Sequence, residues 1–248
     1  MSLVGRVFSF TALRLEEVLK VATCNLHISA TLSEITGSIN RVMSTNPDVV
    51  FFQEMAPGAQ ALFRKQYGED YRLVGSPPVA FRRSRFTLKG HKRITLVNRR
   101  WVEKFSIYRA YRPASFATRV ILRDGMSKTV ALLNIHLPTG SCKSGPAGKP
   151  GTYRTEYPLI VQYHRDAVKR VRRFVRAQKR LRRDVYVGGD TNYDGLEIPG
   201  LVSCWDGREL LPTLNHSTYD MVYHGKSRAL NVVRLEIPSD HDAVIATY

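Results

Sequence analysis

Apolar residues along this chain fall into two kinds of run. Short continuous runs, LKVATC at 19–24, VVFF at 49–52 and VYV at 185–187, have the length and branching of buried strands. Longer stretches space their apolar residues at helical intervals. Leu32, Ile35, Ile39, Val42 and Met43 predict one helix, which Asn46-Pro47 ends because proline disfavours helical geometry in the residue before it. Ala59, Leu62, Phe63 and Tyr67 predict a second helix. A long third one, about Pro158 to Leu181, carries Val161, Val168, Val171, Phe174 and Val175 on its apolar side. From Tyr71 to Leu137 the pattern is mostly β, with candidate strands at 71–74, 79–82, 87–88, 94–97, 115–122 and 129–136. Arg123-Asp124-Gly125 reads as a hairpin turn between the last two. Residues 139–152, rich in Gly, Pro, Ser and Lys, read as a mobile surface loop. Late strands are expected at 221–223, 230–235 and 243–248. This order predicts an α/β fold of two mixed sheets packed face to face with helices outside, not a doubly wound parallel sheet. No linker or repeat divides the chain, so 1–248 is expected as one domain, with 1–18 an N-terminal extension or edge segment.

Composition narrows the class. The 248 residues are 43% hydrophobic and 24% charged, which excludes a disordered or coiled-coil chain. No apolar run is long enough for a membrane helix, and the first residues lack a secretory pattern. The three cysteines, Cys24, Cys142 and Cys204, are widely spaced and form no CxxC pair. An intracellular, cytoplasmic monomer without disulfides is the expectation. Charge changes the picture most: 38 Lys and Arg against 21 Asp and Glu give +17. Such a chain concentrates polyanions around itself, and nucleic acid is the first partner to consider.

The polar residues of interest share a placement: each follows or ends an apolar strand, where the edge of a sheet can bring loops together. Asn25 follows KVATC, Glu54 follows VVFFQ and His136 ends ALLNI. Asp190 and Asn192 follow VYVGG, and Asp240-His241 precede the last strand. Carboxylates and amides without cysteine suit Mg²⁺, with Mn²⁺ as the alternative, rather than zinc. Phosphoryl transfer needs such a set: a cation on a phosphate oxygen, a carboxylate for water, and donors around developing charge. Each residue also has a plainer reading. Glu54 and Asp220 could be solvated carboxylates, His136 and His241 could satisfy local backbone, and Asp190-Thr191-Asn192 could be an Asx-turn. The remaining histidines, among them His27, His164 and His224, read as structural.

Six stations in order then resemble the endonuclease/exonuclease/phosphatase superfamily, the DNase I-like fold. They are Asn25; Gln53-Glu54; NIHLP with His136; GGDTN with Asp190 and Asn192; YDMVY with Asp220; and SDHDA with Asp240 and His241. The resemblance implies a four-layer α/β/β/α sandwich and a metal-dependent phosphodiesterase. It gives Glu54 the divalent metal, supported by Asn25 and Asp240. It gives Asp190 the attacking water, Asn192 the scissile phosphate, and His136 and His241 the phosphate charge or leaving oxygen. Asp220 would hold the His241 ring. Arg112, in YRPASF, stands where DNase-like members set an arginine against phosphate. NIHLP carries histidine where exonuclease III-like abasic-site enzymes carry tyrosine, which argues against that branch. DNase I-like members pair this histidine with an upstream glutamate; VAFRRSRF has none, and Glu103 is the remaining candidate.

The expected substrate is nucleic acid, DNA before RNA, cut as an endonuclease. The alternatives are a phosphatase or phospholipase C-like hydrolase of inositol phosphates or sphingomyelin, an RNA-directed nuclease, and an inactive nucleic-acid-binding module. Arg82, Arg83 and Arg85, interleaved with Phe81 and Phe86, are the expected phosphate contacts, and the Arg99–Trp101 and Tyr108–Arg112 stretches resemble them. The basic face of the third helix reads as a solvated surface covering the sheet.

Overall fold

A computed structural model describes residues 18–104, 108–146 and 149–248; the expected N-terminal extension lies almost wholly outside them. In chain order the elements are β1 (Lys20–Asn25), α1 (Leu32–Ser44), β2 (Val49–Gln53), α2 (Pro57–Tyr67), β3 (Tyr71–Gly75), β4 (Pro78–Arg82), β5 (Phe86–Val97), β6 (Arg100–Lys104), β7 (Tyr108–Arg112), β8 (Ser115–Asp124) and β9 (Thr129–His136). They continue with β10 (Cys142–Lys143), β11 (Thr152–Tyr153), α3 (Pro158–Arg180), β12 (Asp184–Asp190), β13 (Val202–Ser203), β14 (Asp220–His224), β15 (Asn231–Leu235) and β16 (Ala243–Thr247).

Two six-stranded mixed sheets result, ordered β15-β16-β1-β2-β4-β3 and β13-β14-β12-β9-β8-β5. Alternation along β2 shows how they stack. Val49 and Phe51 join the core between the sheets, while Val50 and Phe52 join a second core with Ile39 and Val42 of α1 and Phe63 of α2. On the far side, Val168, Val171 and Val175 of α3 cover the second sheet. The layers are therefore α/β/β/α. The sheets approach closely at Gly188, where a Cβ would overlap the Phe51 ring. A buried polar clamp also joins them: Gln53 Nε2 donates to Asn134 Oδ1 (2.7 Å), and Asn134 Nδ2 donates to the carbonyls of Phe52 (2.8 Å) and Pro78 (2.7 Å).

Local chemistry sets the helix ends. Thr31 caps α1, and Glu34 reaches back to the Thr31 N–H in a capping box. Three departures from the expected elements stand out. The strands expected at 87–88 and 94–97 are one strand, β5, kept continuous by irregularities at Leu88/Gly90 and Thr95/Val97 that take up the register mismatch with β8. The stretches around Trp101 and Tyr111 pair as the β6–β7 hairpin, outside both large sheets. The loop expected at 139–152 contains β10 paired with β11, and buries Ser141, Cys142 and Gly151. Asp194 anchors it by accepting from the Gly145 N–H (3.0 Å), while its other oxygen accepts from the Thr218 N–H (2.7 Å). Residues 147 and 148 within it lie outside the described residues.

Candidate active site

Strand direction decides which side chains meet. β1 and β2 are parallel, so Asn25 lies level with Gln53 at their C-terminal ends. β9 and β12 are parallel too, which sets His136 beside Asp190. β14 runs against β12 and begins with Asp220 opposite Asp190. β16 runs against β1 and starts at the same rim, just after Asp240-His241. Six separate segments thus end or begin along one edge of the sandwich.

Glu54 leaves β2 in a left-handed conformation (φ 55°). Its Oε2 accepts from the Ile28 N–H (2.7 Å), and its Oε1 lies 3.7 Å from His136 Nε2 and 3.5 Å from Asn25 Nδ2. Asp190 is fully enclosed at the centre. Its Oδ2 accepts from Asn25 Nδ2 (3.2 Å) and Asn192 Nδ2 (3.1 Å), and stands 3.4 Å from His136 Nε2 and 3.9 Å from His241 Nε2. Its Oδ1 accepts from the Asn192 N–H at 2.7 Å, with Asn192 also left-handed (φ 47°). Backbone in that region is costly for non-glycine residues and persists where surrounding contacts enforce it.

His241 Nδ1 is 2.7 Å from Asp220 Oδ2, and the Asp220 N–H is held by Thr213 Oγ1 (3.1 Å). The other carboxylate oxygen of Asp220 is buried with no partner among the described residues. Asp240 is exposed: its Oδ1 is 3.3 Å from the Ser239 hydroxyl and 3.7 Å from His27 Nδ1. Ser239 also donates to the Asn25 carbonyl (2.9 Å), so the SDH turn is tied directly to the end of β1.

Electrostatics follow from burial against charge. Burial disfavours the protonated His241 ring, but the charge and hydrogen bond of Asp220, with Asp190 and Asp240 beyond, overcome it and raise its pKa to about 9. Burial likewise opposes protonation of His136, yet Asp190 and Glu54 raise its pKa overall. Burial alone would raise the pKa of Asp190; the hydrogen bond and charge of His136 and the charge of His241 hold it below the ordinary carboxylate value. The centre is an ionised carboxylate between two imidazoles that favour their charged form.

The predicted residues Asn25, Glu54, His136, Asp190, Asn192, Asp220, Asp240 and His241 all lie along this rim. Arg82, Arg83 and Arg85 do not. They belong with the start of β2, at the opposite end of the sheet from Glu54, because β4 runs antiparallel to β2. Arg82 and Arg85 pair with Asp48 (3.5 and 2.9 Å), and Arg83 donates to the Gly68 carbonyl (3.0 Å). Their alternation with phenylalanine is that of a strand end tied to its neighbours. Arg112 ends β7, close enough to Tyr163 to perturb its hydroxyl, and three residues before Ser115, which donates to the His136 carbonyl (3.2 Å). The side chain of Glu103 lies outside the described residues.

Some neighbours escaped the sequence reading. His27, expected to be structural, stands at the rim against Asp240. His164, buried on α3, contacts the Thr191 carbonyl through Nε2 (2.9 Å) and the Tyr153 hydroxyl through Nδ1 (3.1 Å), so it backs the Asp190-Thr191-Asn192 turn. From the sequence it read only as structural, and only the fold reveals what it touches.

The donor set also bears on a metal. Among the described residues no group of three or more His, Cys, Asp and Glu forms a ready cage. Glu54 offers an oxygen with only long contacts, next to the Asn25 amide, and Asp240 is exposed at the same rim. Few protein oxygens and an open side fit Mg²⁺, which keeps most of its water and is held by one or two carboxylates plus substrate phosphate.

No protein-family model matches the sequence, and no curated protein does so. Solved structures do. The TDP2 of Danio rerio in complex with a single-stranded DNA product is similar at TM-score 0.67 and 15% identity, over 94% of this chain and 99% of that one. An endonuclease/exonuclease/phosphatase from Bacteroides vulgatus is similar at TM-score 0.68 and 13% identity, over 93% and 98%. A mannosyl-6-phosphatase of Bacteroides thetaiotaomicron is similar at TM-score 0.67 and 13% identity, over 93% and 99%. With both sheets, the outer helices and the order of the rim residues in place, the chain has the fold of the endonuclease/exonuclease/phosphatase proteins, the DNase I-like sandwich.

Proposed function

We propose that this protein is a Mg²⁺-dependent phosphodiesterase that hydrolyses nucleic acid, with DNA as substrate and endonucleolytic cleavage as its mode. The observation that carries the reading is the meeting of Glu54, His136, Asp190 and His241 through contacts under 4 Å around Asp190. Glu54, with Asn25 and Asp240, would hold the cation, which when bound polarises a phosphate oxygen and offsets its charge. Asp190, ionised and enclosed, accepts the proton of the attacking water. Its two imidazole neighbours and Asn25 leave its orientation no freedom, which is what a positioned base needs. Asn192 Nδ2 donates to the Asp190 carboxylate (3.1 Å) and to the Leu137 carbonyl (2.9 Å), so its contact with a phosphate oxygen would replace one of these bonds when substrate binds. His241 keeps its proton through Asp220 and presents Nε2 as a charged donor where negative charge develops as the P–O bond breaks. His136 does the same from the Glu54 side, and the released oxygen takes its proton from this pair of rings or from solvent.

The nucleic-acid substrate is supported by the charge of +17. The same fold carries other phosphate esters in the similar structures, so the substrate must be read by assay. Supercoiled plasmid incubated with Mg²⁺ is expected to become nicked, and EDTA to abolish nicking. Asp190→Ala is expected to lose at least about a hundredfold in rate. Absence of metal-dependent nicking, equal nicking by Asp190→Ala, or turnover of an inositol or sugar phosphate in place of DNA would overturn the reading.

A further inference from the structure

Arg165, Lys169, Arg172 and Arg176 recur at every third or fourth residue of α3 and so share one face. All four are exposed, and none has an ion-pair partner among the described residues. The one acidic residue in the helix, Asp166, is committed elsewhere: its Oδ2 pairs with Arg100 (3.0 Å) and its Oδ1 accepts from Gln162 (2.9 Å). Arg165 with Lys169, and Arg172 with Arg176, are like charges four apart, an arrangement that destabilises a helix. A helix needed only to cover a sheet is better served by mixed signs.

The face is also concave. A cavity of about 590 Å³ runs along it, walled by the four cations with Tyr153, Val168 and Pro199. It continues into a second of about 600 Å³ that shares Arg172 and Pro199. Its Tyr153 end lies near the Asp190-Thr191-Asn192 turn. The Arg165 guanidinium lies 4.6 Å from the centre of the Tyr153 ring, and that ring is 4.6 Å from Tyr193, the residue after Asn192. The groove thus starts one aromatic layer away from Asp190-Thr191-Asn192 and descends the outside of the sandwich.

We propose that this face of α3 is a second binding surface, for the phosphodiester backbone of a DNA strand that extends beyond the bond cut at the Asp190 site. The proposal rests on the nucleic-acid reading above. From residue 165 to 176 the helix rises about 16 Å, so a line of four cations meets several successive phosphates of one strand. Tyr153 supplies an aromatic surface at the end nearest the site. Among the described residues, none of the exposed large hydrophobic side chains lines the groove, which sets it apart from a membrane-docking helix that presents an apolar face beside its charges.

The test is the variant R165Q/K169Q/R172Q/R176Q. Binding to a 30-nucleotide and a 5-nucleotide single-stranded DNA is measured by fluorescence anisotropy in EDTA, where no cutting occurs. Hydrolysis of bis(p-nitrophenyl) phosphate with Mg²⁺ reports an intact site. The expected result is at least a tenfold loss of affinity for the 30-mer, with the slope of log affinity against log salt reduced by about 3. Affinity for the 5-mer and the small-substrate kcat/KM should stay within twofold. A control with the same charge change elsewhere, R64Q/K65Q/R72Q/K89Q, should leave 30-mer affinity within threefold. Unchanged 30-mer binding in the α3 variant, equal loss in the control, or dependence on the four residues for phosphatidylserine vesicles but not for DNA would each overturn the surface. The two readings separate: wild type that never cuts DNA but loses 30-mer binding with the α3 variant removes the enzyme reading and keeps the surface. Intact cutting with unaltered 30-mer binding does the reverse.

Discussion

His164 is a buried imidazole kept neutral. Burial pushes its pKa down to about 4, against a weaker pull upward from the Thr191 carbonyl and the charge of Asp190. The folded value lies below the unfolded value of about 6.5, so the unfolded chain takes up this proton first. The stability tied to His164 is complete above about pH 6.5 and is lost as the pH falls toward 4, by on the order of 3 kcal/mol. A glutamine in its place keeps a donor for the Thr191 carbonyl but does not titrate. In urea titrations between pH 7 and 4.5, His164→Gln should therefore lose less stability on acidification than wild type; parallel losses would show that this imidazole does not carry the effect. From the sequence His164 read only as a structural histidine. Its contact with the Asp190-Thr191-Asn192 turn joins residues 27 positions apart, which no local pattern encodes. Asp190, Asn192 and His241 were legible because each closes or opens an apolar strand, where a polar residue is conspicuous.

Among the elements, the continuous apolar runs were read well because they are short, rich in β-branched and aromatic residues and bounded by polar ones, which marks a strand buried on both faces rather than a helix. The β6–β7 hairpin was not, since its exposed Trp101 and Tyr111 alternate with charge and resemble a ligand-binding stretch as much as a strand. The error over Arg82, Arg83 and Arg85 was one of direction: the run they end was recognised, but not that β4 returns against β2 and carries them to the far end. At this scale the clamp between the sheets is the sharpest test. Asn134→Leu removes three buried hydrogen bonds, one from Gln53 Nε2, which keeps its bond to the Phe51 carbonyl, and one each to the Phe52 and Pro78 carbonyls. A loss of about 2–4 kcal/mol is expected in urea unfolding; a change under about 1 kcal/mol would mean that these groups find other partners.

For the molecule as a whole, the order of stations foretold the fold, and the pairing of parallel β1–β2 with parallel β9–β12 explains why those stations converge. The excess of positive charge could be counted in the sequence but not located. Part of it is gathered on one face of α3, whereas much of the arginine around β4 is spent on Asp48 and backbone carbonyls. The candidate cation ligands, Glu54 with Asn25 and Asp240, were named from the sequence; the fold adds that a Glu54 oxygen stands 3.5 Å from the Asn25 amide and 3.7 Å from His136 Nε2. Crystals soaked in Mn²⁺ and measured at an anomalous wavelength test that arrangement directly. The account predicts one strong peak within about 2–2.5 Å of a Glu54 oxygen, adjoining Asp190 and absent from Glu54→Gln crystals. A rim without a peak, or a bound ion that ignores Glu54, would contradict it.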